Sequence, residues 1–131
     1  MNEAALLARI GTLQGEVLPT PSKRKSFTVT RVANDRVTVT TGNANRVDVT
    51  IAGMLAVLRY LDENDHDRKH PCRIRSHNDP ALAGPLCLAA RGGRKIRTIT
   101  YALPMLEHLG MVGIDATMRP MTAFLANRPV K

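Results

Sequence analysis

The sequence has no tryptophan and few other aromatic residues, with two Phe and two Tyr among 131 residues. The interior must therefore be aliphatic, and a sheet that stacks nucleic-acid bases on a row of rings is not expected. Two cysteines do not make a disulfide framework, and no apolar run approaches the roughly 20 residues that span a bilayer. These absences exclude the membrane, collagenous and disulfide-scaffold classes and favour a single globular domain over residues 1–131.

Signals for secretion and for bound cofactors are lacking as well. The amino terminus carries Glu3 where a secretory signal carries a base, and no small-residue cleavage site follows it, which predicts a cytoplasmic protein. The sequence contains no Walker, G-x-G-x-x-G or G-x-S-x-G motif. We therefore expect no cofactor and assign no catalytic residue.

Basic residues, in contrast, are abundant and unevenly placed. The formal net charge is +8, of which residues 1–65 contribute +1 and residues 66–131 contribute +7. Six bases lie within 25 residues that contain a single acid, Asp79; they are Arg73, Arg75, Arg91, Arg94, Lys95 and Arg97. Five of the six are Arg, whose planar guanidinium suits phosphate groups and guanine edges. The distribution favours a polyanionic partner over a merely solubilising surface.

The first half of the chain shows a helical pattern followed by strand patterns. Apolar residues at near-helical spacing predict a short amphipathic helix over residues 2–14. Two prolines and three consecutive bases predict an extended loop over residues 18–25. Alternating apolar residues then predict a hairpin with strands at 27–32 and 37–39, and a third strand over 47–51.

The second half begins with a helix. Thr50 can cap a helix whose apolar residues recur at helical spacing and which ends in the polar run 62–65. A short β-like segment covers residues 72–76. A short helix over residues 85–91 is then predicted because Pro85 suits the first helical position.

A glycine turn at residues 92–93 leads into the last predicted helix. Its apolar residues run from Ile96 to Leu109, and Gly110 closes it. Two strands follow, over residues 111–115 and 118–125. Pro104 lies inside this helix and would kink it, so a competing assignment makes residues 96–101 a strand and begins a short helix at Pro104.

Three of these segments occur in a recognisable order. Val57–Asn64 forms a first helix, Leu86–Arg91 a second, and Arg97–Val112 a third helix that runs into a hairpin. Over residues 50–126 this order resembles the winged helix-turn-helix family of DNA-binding proteins. The resemblance implies an α+β fold, with an N-terminal helix and small antiparallel β-sheet (residues 1–49) followed by a winged-helix-like helical half with a C-terminal β-hairpin (residues 50–131).

The third helix of that family reads the major groove, which defines the candidate site. If Ile99, Leu103 and Leu106 face the core, the opposite face presents side chains for bases and nearby phosphates. These are Arg94, Arg97, Thr98 and Tyr101, with Arg91 and Lys95 on the DNA backbone where the helix begins and Arg119 as the wing contact. The alternative is that the same residues are solvated on a protein-interaction domain.

A weaker resemblance concerns residues 18–39. A basic turn that leads into a hairpin is similar to modules of bacterial restriction and defence proteins. It implies that Lys23, Arg24 and Lys25 grip a phosphate backbone, and a solvated basic loop is the alternative.

Histidines and cysteines between residues 66 and 87 raise the question of a metal site. They are His66, His70, Cys72, His77 and Cys87, and their spacing matches no common zinc pattern. Cys87 is better explained as a small buried residue, and Asn78-Asp79-Pro80 after His77 is a turn sequence. We therefore assign no metal ligand, while a metal-dependent nuclease centred on His66, His70 and His77 stays open as an alternative.

Together these patterns predict a non-catalytic protein that binds double-stranded DNA, with a helix near residues 94–109 in the major groove and a β-wing on the backbone. Transcription regulation and association with a bacterial nucleoid would suit such a protein. A homodimer is expected if the DNA target is palindromic. The other class left open is a protein-interaction adaptor within a larger complex of a bacterial defence or mobile-element system.

Overall fold

The computed structural model describes residues 1–94, 96–117 and 120–126, and these form a mixed α/β fold of four α-helices and two antiparallel sheets. The first helix, α1 (Glu3–Ile10), begins where Asn2 accepts a hydrogen bond from the Ala5 N–H at 2.9 Å. A 3₁₀ turn (Gly11–Leu13) continues it. The helix predicted over residues 2–14 is thereby confirmed.

Sheet 1 is a four-stranded meander in the order β1 (Val17–Pro19), β2 (Ser26–Val32), β3 (Arg36–Thr41) and β4 (Arg46–Thr50). Its inward residues alternate with polar outward ones, as a half-buried strand requires. The buried inward residues are Leu18, Phe27, Val29, Val37, Val39 and Val49.

The sequence did not predict β1. Part of the expected extended loop at residues 18–25 is an edge strand, because Leu18 is 3% exposed and pairs with Phe27 in β2. The predicted third strand, in turn, ends at Thr50 and not at Ile51. Ile51 belongs instead to the helix that follows.

That helix, α2 (Ile51–Glu63), begins as predicted, since the Thr50 hydroxyl accepts a hydrogen bond from the Gly53 N–H at 3.0 Å. Gly53 also allows α2 to approach the next helix closely. A Cβ at this position would overlap the backbone carbonyl of Ala90 and lie 2.8 Å from the Thr50 hydroxyl. The close contact fixes where the second half of the chain sits against α2.

The second half contains β5 (Cys72–Arg73), α3 (Pro85–Arg91), α4 (Ile99–His108), β6 (Val112–Asp115) and β7 (Thr122–Leu125). The three strands form sheet 2 in the order β5-β7-β6. Both ends of α3 are as predicted, with proline at the first position and Gly92 in the left-handed conformation just after Arg91.

The last helix differs from expectation at its start. It begins at Ile99, so Arg94, Ile96 and Arg97 precede it as a non-helical connection. The competing assignment, a strand over residues 96–101, is wrong because α4 is helical on both sides of Pro104. Burial of the residues around the proline compensates for the hydrogen bond that it removes; these include Ile99, Ala102, Leu103, Met105 and Leu106.

One hydrophobic core cluster includes residues from both halves of the chain. Leu6 of α1, Val39 of sheet 1 and Met54 of α2 belong to it together with Leu103 of α4 and Ala123 of sheet 2. Among the described residues, no helix has the length and apolar character needed to cross a membrane.

Candidate nucleic-acid interface

The connection between α3 and α4 is a turn attached to the edge of sheet 1. Gly92 and Gly93 have φ values of +54° and +85°, which place the chain in the left-handed region and reverse it sharply. Arg94 follows, is exposed, and donates from Nη1 to the backbone oxygen of Asp48 at 2.8 Å. Since β4 is an edge strand, this bond covers part of an open strand edge and fixes the position of the arginine.

Arg97 is held by the segment after β5. Its backbone N–H donates to the side-chain oxygen of Asn78 at 3.2 Å, and its Nη1 donates to the backbone oxygen of Ser76 at 3.4 Å. The Ser76 and Thr100 hydroxyls lie 3.1 Å apart, which joins the same segment to the first turn of α4. Arg97 therefore stands directly before the helix N-terminus, where the first turn carries no acid.

Both exposed arginines are oriented by neutral oxygen atoms. Within the described part of the chain, neither Arg94 nor Arg97 forms an ion pair with a carboxylate. A guanidinium has five N–H donors, and each of these side chains uses one of them on a backbone carbonyl. Their positive charge is therefore uncompensated, and most of their donors face solvent.

A third arginine, which the sequence did not indicate as a contact residue, extends this surface. Arg46 of β4 is exposed and lines, with Arg94, Ile96 and Asp48, a depression of about 360 Å³. The Asp48 carboxylate is occupied by the Thr38 hydroxyl at 2.7 Å and by Arg36 at 3.6 Å. We call Arg46, Arg94 and Arg97 the basic turn surface.

Two predicted contact residues are buried. Arg91 is 3% exposed, and its Nη1 donates to the backbone oxygens of His77 at 3.3 Å and Asn78 at 2.9 Å. Thr98 is 1% exposed, and its hydroxyl has no hydrogen-bond partner among the described residues. A buried side chain cannot contact a base or a phosphate, so both assignments are wrong. Arg91 instead holds the loop against which Arg97 rests.

Tyr101 is half-buried and packs on sheet 1. Its ring lies edge-on to that of Phe27, with 5.2 Å between centroids. Farther along α4, Glu107 forms an ion pair with Lys23 of the β1–β2 loop at 3.1 Å. Sheet 1 and the β1–β2 loop therefore cover part of the outward face of α4. At the start of the helix Ile99 is buried and Thr100 and Tyr101 are half-buried, and His108 at its C-terminal end is exposed.

The three bases of the β1–β2 loop are not equivalent. Lys23 has φ +64° and forms an ion pair with Glu107. Arg24 and Lys25 are exposed and form no ion pair with any described residue. Two other predicted contacts, Lys95 and Arg119, lie outside the described residues.

The histidines do not assemble into a metal centre. His66 Nδ1 is 2.8 Å from the His70 backbone oxygen, His70 Nδ1 is 3.0 Å from the Asp67 carboxylate, and His77 Nδ1 accepts from the Asp79 N–H. Within the parts of the chain described, no three His, Cys, Asp or Glu side chains are placed to hold a metal ion.

No family model matches the sequence, and neither the curated proteins nor the solved structures contain a significant match to the chain.

Proposed function

We propose that this protein binds double-stranded DNA without catalysing a reaction on it. In this proposal Arg46 and Arg94 of the basic turn surface contact the phosphate backbone, and Arg97 enters the major groove with the N-terminal end of α4. The second half would act as a winged helix, with the β6–β7 hairpin as the wing on the adjacent backbone.

The uncompensated charge of Arg94 and Arg97 carries this proposal. Each guanidinium is fixed by a carbonyl oxygen and keeps its full charge directed outward. Pre-ordered arginines lose less side-chain entropy when they bind phosphate than freely rotating ones do. Arg46 adds a third positive charge on the same surface.

The order of elements supports the docking mode. The helix α2, the strand β5, the helices α3 and α4, and the hairpin β6–β7 follow one another as in a winged helix-turn-helix, and β7 lies between β5 and β6. Because Thr98 and Ile99 are buried and the Tyr101 ring packs on Phe27, few side chains at the start of α4 could contact bases. Arg97 and Thr100 are the exposed or half-exposed residues there.

The test is a comparison of single variants by fluorescence anisotropy on a labelled duplex. Arg97→Ala should weaken specific binding by about 1–3 kcal/mol and relax sequence preference, whereas Arg94→Ala should weaken binding to all sequences alike and reduce its salt dependence. Arg59→Ala is the matched control, since Arg59 is exposed on α2 and lines a different depression, with Arg9 and Met111. Equal losses in all three variants would contradict the proposal.

A protein-interaction adaptor is the second candidate, and one observation favours it. Leu82, Leu88 and Ile96 are 58%, 40% and 58% exposed, and all lie between residues 82 and 96. Leu88 and Pro80 also line a depression of about 580 Å³ together with Arg94. Apolar side chains beside an arginine are typical of protein-binding surfaces. An adaptor should show no binding to duplex DNA even at about 50 mM salt.

A further inference from the structure

A polar cleft lies between sheet 1 and α4, apart from the basic turn surface. Its volume is about 480 Å³, within the roughly 300–1,000 Å³ typical of small-molecule sites. Its walls come from the β1–β2 loop, the β3–β4 turn and α4. The polar side chains that line it include Lys25, Ser26, Thr41, Asn43, Asn45 and Tyr101.

The polar groups of these six side chains are unpaired among the described residues, whereas the hydroxyl of Thr20, which also lines the cleft, donates to the Lys25 backbone oxygen at 3.3 Å. None of the six makes a side-chain hydrogen bond or an ion pair with another described residue, and no carboxylate lines the cleft. The cleft therefore gathers one ammonium group, three hydroxyl-bearing side chains and two amides that are free for a ligand.

Both turns beside the cleft are held in defined conformations. The Thr20 N–H donates to the Lys25 backbone oxygen at 2.9 Å, and the Thr41 N–H donates to the Asn45 backbone oxygen at 2.9 Å. Lys23 and Ala44, within these two turns, adopt φ values of +64° and +62°. Side chains other than glycine persist in this region only where the surrounding structure imposes it. These bonds define the backbone conformation of the two turns that wall the cleft.

We propose that this cleft binds a single nucleotide. The Lys25 ammonium and the neighbouring hydroxyls would hold the phosphate. The amides of Asn43 and Asn45, which both donate and accept, would bind the edge of the base. The Tyr101 ring supplies an apolar surface for the base. The absence of a carboxylate from the lining suits an anionic ligand.

Two ligands would present a phosphate and a base to the cleft, namely a free nucleoside monophosphate and the terminal nucleotide of a DNA strand. The ¹H–¹⁵N spectrum of the labelled protein distinguishes them during titration with each of the nucleoside 5′-monophosphates and with a short 5′-phosphorylated single strand. Saturable shifts at the cleft residues, namely Thr20, residues 25–26 and 41–47, and Tyr101, are expected with at least one of these probes. Shifts with the monophosphate identify a free nucleotide, and shifts with the strand alone identify a strand end.

Variants test whether the shifts report the cleft. Lys25→Ala and Asn45→Ala should each weaken binding by about tenfold. Both side chains are exposed, so their removal should not unfold the protein. Arg31→Ala, which removes a positive charge from an exposed residue of β2 that does not line the cleft, should leave the affinity unchanged. Arg94→Ala should also leave it unchanged, so failure of the DNA proposal would not be mistaken for failure of this one.

Three results would overturn the proposal. One is the absence of saturable shifts at the cleft with every probe. The second is inorganic phosphate binding as tightly as the nucleotide, because the amides and the ring would then contribute nothing. The third is an equal loss of affinity in Arg31→Ala and Lys25→Ala, which would reduce the effect to net charge.

Discussion

Gly53→Ala should destabilise the fold although alanine is the better helix former. Gly53 lies in the first turns of α2, and an added methyl group would overlap the carbonyl of Ala90 in α3. Because the obstacle is backbone, α3 must move as a unit and carry with it the turn that positions Arg94.

The magnitude follows from two opposing terms. Overpacking of this kind costs up to about 3 kcal/mol, and replacing glycine by alanine within a helix returns about 1 kcal/mol. The net effect is a loss of about 2 kcal/mol in the free energy of unfolding, or roughly 7 °C in the melting temperature for a domain of this size.

Thermal and urea unfolding followed by far-ultraviolet circular dichroism would measure this change. Gly11→Ala is the matched control, because Gly11 has φ −56° and a methyl group there would meet nothing within 4 Å. That variant should be more stable by about 0.4–1 kcal/mol. A Gly53→Ala protein as stable as the wild type would refute the close packing of α2 on α3.

Two further predictions concern titrating and reactive groups. Asp67 is 2% exposed, and although burial would raise its pKa, hydrogen bonds from His70 and the Lys69 N–H lower it below the ordinary value. Its stabilising effect is therefore present above the ordinary carboxyl pKa and is lost as the pH falls through the native pKa; urea titrations should show Asp67→Asn less stable at neutral pH and equal to wild type in acid. Cys72 and Cys87 are 5% and 0% exposed, and burial raises the pKa of the Cys72 thiol. Both should react with Ellman's reagent only as fast as the protein unfolds, and rapid reaction of the native protein would contradict their burial.

Local signals predicted the elements whose ends are set by a single residue. Proline at the first position and glycine after the last defined α3, and the Thr50 cap defined the start of α2. The strand β1 escaped because it is three residues long and contains Pro19, so it shows no alternation. The start of α4 was predicted too early because Ile96 fits the apolar spacing of the helix, although it lies in the non-helical connection before Ile99.

The sequence predicted which residue types form the candidate site, but not which of those residues are buried and which are exposed. The arginine cluster was evident, but burial of Arg91 depends on carbonyl groups 13 and 14 residues away. The cover over α4 depends on Lys23 and Glu107, which are 84 residues apart. No helical periodicity encodes contacts of that range, so the sequence indicated a whole helix face where the structure leaves half-buried residues such as Thr100 and Tyr101.

Binding to a random duplex at two salt concentrations would show whether this protein binds DNA through its exposed arginines. Fluorescence anisotropy at about 50 and 200 mM salt, without added metal, should show an affinity that falls roughly 10- to 40-fold between the two, the loss expected for two or three phosphate contacts. The double variant Arg94→Ala/Arg97→Ala should bind more weakly at the lower salt and lose less when salt is added. Absence of binding by the wild-type protein at about 50 mM salt would contradict the account, since uncompensated arginines that meet phosphate must bind there.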